Sequence, residues 1–138
     1  NPMTVYKTLS SHVWTLSDSP KAISDPCPAG WRLPDGGSNG VWAKAGFTDM
    51  PFDSQNMGIL FDIGSSSVTW YPASGYVSST GLKDIGSYGY FLSASTLKND
   101  GYGDLYILKF YMSSVTTSAT AFSNNSAYPV RCQKDVQK

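Results

Sequence analysis

A chain of 138 residues with ten basic and ten acidic side chains carries no net charge, and its length is that of one domain. Balanced charge without like-charge runs offers nothing special to a nucleic-acid backbone or an anionic membrane surface. No stretch approaches the roughly 20 apolar residues of a membrane span. Every acidic residue is Asp and none is Glu, while Ser, Gly, Tyr, Thr and Asn are abundant. Asp, Ser and Asn compete with the helical backbone for hydrogen bonds, so the chain is expected to be rich in strands and loops and poor in helix.

Residues 4–7 and 12–16 read as short strands, with Val5, Val13, Trp14 and Leu16 as core candidates, and 17–20 as a turn. Pro26, Pro28 and Pro34 stiffen the next segment into an extended, irregular run. Trp31 and Leu33 are expected on one side of it and Arg32 on the other. Residues 35–40 form a glycine-rich loop from which Ser38 or Asn39 caps a short helix over 41–45, ended by Gly46. Residues 47–61 show no clean periodicity and read as irregular, with one helical turn. Strands are expected over 67–76, 88–94 and 105–112, the last being the richest in β-formers. Residues 98–104 then join two strands as a hairpin loop. Residues 127–133 close the sheet, with Pro129 marking an edge or an irregularity.

Cys27 and Cys132 are the only cysteines. A bond between them would close a loop of about 100 residues and contribute about 4 kcal/mol in the chain-entropy model. Such a bond persists in an oxidising compartment.

The same residues carry a resemblance. Asp25-Pro26-Cys27-Pro28-Ala29-Gly30-Trp31-Arg32-Leu33-Pro34 is followed by Tyr71-Pro72-Ala73-Ser74-Gly75-Tyr76, Tyr90-Phe91-Leu92-Ser93 and Tyr128-Pro129-Val130-Arg131-Cys132. In this order they resemble the CPxGWRxP, PAxGYR, GxYWSS and SVRC motifs of the Fibrobacter succinogenes major paralogous domain, as it occurs at the C-terminal end of Bacteroidetes fimbrillin-like surface proteins. Val77 stands where that family usually has Arg, and Phe91-Leu92-Ser93 where Tyr-Trp-Ser-Ser is usual. The resemblance spans about residues 25–134. It implies a C-type lectin-like α+β fold, mostly antiparallel, with short helices and long loops, closed by a Cys27–Cys132 disulfide. It also implies an extracellular, cell-surface setting on a bacterium, outer-membrane-associated or fimbrial. The whole chain, 1–138, is expected to be one such domain from the C-terminal part of a longer surface protein.

Chemistry-bearing clusters are few. His12 is the only histidine; a zinc site normally wants three or four His or Cys ligands, and a triad hydrolase could use only His12, with nothing like a nucleophile elbow in the chain. The formylglycine-generating enzymes share the lectin-like fold but use free catalytic cysteines, which a Cys27–Cys132 bond would remove. Asn99, Asp100 and Asp104 form a weak candidate for calcium, which takes six to eight oxygen ligands. The Glu-Pro-Asn, Gln-Pro-Asp and Trp-Asn-Asp signatures of calcium-dependent lectins are absent, so the expectation is a turn and no cofactor.

Aromatics remain as candidate contacts. Trp14, Trp31, Trp70, Phe91 and Phe110 are assigned to the core. Tyr102, between two glycines, is the leading exposed candidate, with Asn99 and Asp104 at its rim and Trp42 as a second ring. The functional expectation is a non-enzymatic extracellular binding or adhesion domain whose ligand is a glycan or a protein, other fimbrial subunits among them. The competing reading is a structural cap or assembly module without a ligand of its own.

Overall fold

The computed structural model describes residues 20–23, 25–46, 51–62, 68–96, 105–120 and 126–135. The strands expected over 4–7 and 12–16 lie outside these residues. The elements in chain order are β1 (Trp31–Arg32), a 3-10 turn (Gly37–Asn39), α1 (Val41–Lys44), β2 (Phe52–Asp53), β3 (Gly58–Asp62), β4 (Val68–Pro72), β5 (Tyr76–Ser78), β6 (Gly81–Lys83), β7 (Gly89–Thr96), β8 (Leu105–Tyr111), β9 (Ser114–Thr120) and β10 (Gln133–Lys134). Every strand pairing among the described residues is antiparallel. Among the described residues the result is an α+β arrangement of mostly antiparallel sheet with one very short α-helix, closed by one disulfide. No helix among the described residues is long and apolar enough to cross a membrane.

The central sheet has the order β7-β8-β9. Alternation along its strands sends side chains to two faces, and both are covered. One face meets a core of Leu33, Tyr90, Leu92, Ala94, Leu105, Ile107, Tyr128 and Cys27. The other meets Trp42, Ile59, Tyr71, Ala73, Phe91, Leu108 and Phe110. Burial on both sides explains why β8 reads as a nearly continuous apolar run, Leu105-Tyr106-Ile107-Leu108. Its Phe110 ring lies across its cross-strand partner Gly89, where a Cβ would collide with the ring.

Around this sheet sit three smaller ones, β2-β3-β4, β5-β6 and β1-β10. The segment 47–61, expected to be irregular, supplies β2 and most of β3. Its Phe52, Gly58 and Ile59 find partners in β3 and β4 that no local pattern announces. The short helix is present, but its N-cap is Gly40, without a side-chain cap bond, and Ser38 and Asn39 belong to the preceding 3-10 turn. Of the 127–133 segment expected to close the sheet, only Gln133 lies in a strand, β10, and that strand pairs with β1 rather than with the central sheet. Ala127 forms an isolated bridge to Val77, and Leu92 N–H donates to the Pro129 carbonyl at 3.0 Å.

Candidate functional site

The motif residues converge on structural work. Cys27 and Cys132 are disulfide-bonded across 105 residues, with Cα atoms 5.8 Å apart. The buried Asp25 carboxylate accepts from Cys27 N–H at 2.8 Å and from Leu33 N–H at 3.2 Å. Those two bonds hold the proline-rich segment in its bend, and Lys21 donates to the Cys27 carbonyl beside them. Gly30 turns the chain with a φ of +83°, which lets Trp31 and Arg32 pair with Lys134 and Gln133.

Here the expected facing fails in part: Leu33 is buried, but Trp31, assigned to the core, faces solvent and Arg32 is buried instead. Arg32 is 1% exposed and pairs with Asp135 at 3.3 Å, while Trp31 is 46% exposed. The C-terminal segment brings a carboxylate to the arginine, so the cation is buried with its counter-charge. Gly75 adopts φ +65°, and a Cβ there would strike the backbone of Lys83 and Ile85. Its N–H donates to the Tyr88 carbonyl at 2.8 Å. Arg131 donates from Nη1 to the Trp70 carbonyl at 2.7 Å and lies 4.7 Å from the Tyr71 ring centre.

Of the candidate contact residues, Tyr102, Asn99, Asp100 and Asp104 lie outside the described residues. Trp42 is placed in the core, not on the surface. It is 1% exposed, and its Nε1–H donates to the Tyr71 hydroxyl at 3.2 Å. The ring packs with Ile59, Tyr71, Phe91 and Phe110 in the core, so Trp42 is removed as a contact. Phe91 and Phe110 are buried as expected, and Trp70 is half-buried. Among the described residues no group of three or more His, Cys, Asp or Glu side chains could hold a metal ion.

A different aromatic group emerges. Tyr88 precedes β7, Tyr90 lies two residues on, and β8 carries Lys109 and Tyr111. Tyr90 pairs with Lys109, and Lys109 in turn with Thr116 of β9. Tyr111 pairs with Ser114. Tyr88 and Tyr111 meet one step beyond the end of the β7–β8 ladder, with ring centres 5.0 Å apart. These residues share one face of the sheet, because directly opposed side chains point the same way. The Tyr88 and Tyr90 rings stack at 5.8 Å, and Tyr76 stands edge-on to Tyr90 at 5.2 Å and stacked on Tyr128 at 5.6 Å. The Lys109 ammonium lies 5.6 Å from the Tyr88 ring centre.

Tyr90 and Tyr128 are buried beneath, while Tyr76, Tyr88, Tyr111 and Lys109 are half-exposed above them. The Tyr90 hydroxyl donates to the Asp84 carboxylate at 2.9 Å. Burial, aided by that carboxylate, pushes the Tyr90 phenol well above its ordinary range. The tyrosines are visible in the sequence, but their spacing of 12, 2, 21 and 17 residues (76, 88, 90, 111, 128) shows no period. The only local signals were Tyr88-Gly89-Tyr90 and the alternation Lys109-Phe110-Tyr111.

Comparison with protein-family models, with curated proteins and with solved structures yields no match.

Proposed function

We propose that this chain is a non-enzymatic binding or adhesion domain of a bacterial surface or fimbria-like protein, with a C-type lectin-like fold. The observation that carries the proposal is the Cys27–Cys132 disulfide, set among the motif residues that resemble the major paralogous domain. A bond of this kind belongs in an oxidising setting such as the cell exterior. Gly30, Gly75, Arg32, Arg131 and both cysteines of the motifs each have a structural task here, so the resemblance falls on residues with physical roles. The bond uses both cysteines of the chain, which leaves formylglycine-type chemistry without a thiol nucleophile.

The test is binding of the labelled domain to printed glycans, to extracellular-matrix proteins and to whole cells. Saturable binding on any of the three supports the proposal. Absence of binding on all three overturns it in favour of a structural cap or assembly module. One feature favours that second reading. Ile85 and Met57 are both more than half exposed and flank Gly86, where a Cβ would come within 2.9 Å of the Met57 sulfur. Sedimentation that shows self-association, lost in Ile85→Ser, would support it.

A further inference from the structure

We propose that the Tyr88–Tyr111 end of the central sheet is a stacking site for the hexopyranose rings of a glycan. The inference rests on the reading of the chain as a binding domain and gives that reading a place and a ligand class.

A pyranose ring has an apolar face of C–H groups and an equatorial belt of hydroxyls. Its binding site therefore needs a rigid ring to lie against and polar groups at the ring's edge. Tyrosine supplies rigid amphipathic area at low entropy cost. Tyr88 and Tyr111 are half-exposed and sit against each other, and Tyr88 is backed by the buried Tyr90. Tyr90 is tied through its hydroxyl to Asp84 and packs edge-on with Tyr76. The two half-buried rings are thus backed by packed neighbours, which lowers the ordering cost of binding.

The rim is polar on the same face. Ser114 is opposite Tyr111, Thr116 is opposite Lys109, and both lie on β9 at the sheet's edge. Their hydroxyls and the lysine ammonium are groups that pair with sugar hydroxyls. Lys109, Lys83 opposite Tyr76, and Asp84 bring charges of both signs to this end. Neutral and acidic sugars share the stacking chemistry, and the experiment separates them.

Tyr88 and Tyr111 lie past the Gly89 and Phe110 end of the β7–β8 pair, opposite its Thr96 and Leu105 end. A strand of seven residues separates the two ends, roughly 20 Å at the usual rise of about 3.3 Å per residue. Tyr111→Ala therefore reports on the Gly89 and Phe110 end of the sheet.

The wild-type chain is applied to an array of immobilised oligosaccharides with neutral and sialylated or sulfated members, and to extracellular-matrix proteins in parallel. Hits are titrated in solution against wild type, Tyr111→Ala, Tyr102→Ala and Lys109→Gln. The expected result is glycan binding that falls about tenfold or more in Tyr111→Ala and stays unchanged in Tyr102→Ala. Lys109→Gln should weaken acidic hits more than neutral ones if the acidic sugar is the ligand, and both alike if it is not. Binding lost in Tyr102→Ala and kept in Tyr111→Ala overturns the proposal. So does a chain that binds matrix protein but no glycan, a result that leaves the binding-domain reading standing. Binding to neither sinks both. Should Tyr111→Ala fail to fold, the ring resonances of Tyr88 and Tyr111 in the wild type decide the matter. They must shift when the hit oligosaccharide is added, and unshifted rings overturn the proposal.

Discussion

The two faces of the central sheet are built from different chemistry. One is sealed by apolar packing. Phe110 stacks on Phe91 at 6.3 Å, Tyr71 meets Phe91 edge-on at 5.0 Å, and Trp42 adds a single hydrogen bond to the Tyr71 hydroxyl. The other face is pinned by a disulfide, by the Asp25 carboxylate and by the Arg32–Asp135 pair, and it runs out at one end into tyrosines rather than closing. A domain this small buries only part of its unfolded surface. Here packing suffices on one side. On the other, covalent and polar ties hold the segments, and the Tyr76, Tyr88 and Tyr111 rings stay half-buried at its end.

The comparison is most strongly tested at the disulfide. Replacing Cys27 and Cys132 with Ser should cost about 4–5 kcal/mol in the chain-entropy model. Chemical denaturation with and without reductant measures it. A loss below about 1 kcal/mol would mean that the polar ties hold the 25–34 segment to the C-terminal segment unaided.

Phe110→Ala tests the sealed face. The ring is fully buried, so its removal should cost at least about 3 kcal/mol and lower the denaturation midpoint with little change in slope. A smaller loss would show that this face can collapse around the cavity.

Asp25→Ala should cost about 2 kcal/mol, because two buried N–H groups lose their acceptor. The Asp25→Asn variant keeps one acceptor oxygen and should lose less. Equal losses in the two variants would show that the charge matters more than the bonds.

The smallest effect concerns alkali. Burial raises the Tyr71 and Tyr90 phenols above their ordinary value, and the Asp84 carboxylate adds to the rise at Tyr90. A free tyrosine in the unfolded chain ionises near about pH 10. The fold therefore favours the neutral phenol. The contribution is fully present below about pH 10 and is lost as pH rises through the higher folded-state values. Stability should be level from neutral pH to about pH 9 and should decline above 10. Tyr90→Phe should flatten part of that decline while costing about 1 kcal/mol at neutral pH. A decline of unchanged steepness in Tyr90→Phe would place its cause elsewhere.

Much of the framework is legible in the residues themselves. β7 and β8 fall within two residues of the expected strands, because β-branched and aromatic runs bounded by glycine carry their own signal. Low helix content follows from the absence of Glu and the abundance of Ser, Gly and Asn. The pairing of Cys27 with Cys132 follows from there being only two cysteines and from the motifs around them. β9 was missed, since Ser114-Val115-Thr116-Thr117-Ser118-Ala119-Thr120 has little hydrophobic pattern and becomes a strand by lying beside β8. The β5–β6 hairpin and the strands drawn from 47–61 were missed for the same reason.

Facing is what only the tertiary structure decided. Trp31 and Trp42 are both indoles beside glycines, yet one is exposed and the other buried. Arg32 is buried because Asp135, 103 residues away, comes to meet it. The tyrosine group draws on five places in the chain that share no period. Composition and local pattern determined the β7 and β8 strands, the scarcity of helix and which two sulfurs bond. Which side chain meets solvent depends on the partner that arrives from far along the chain, and that partner has no local signature.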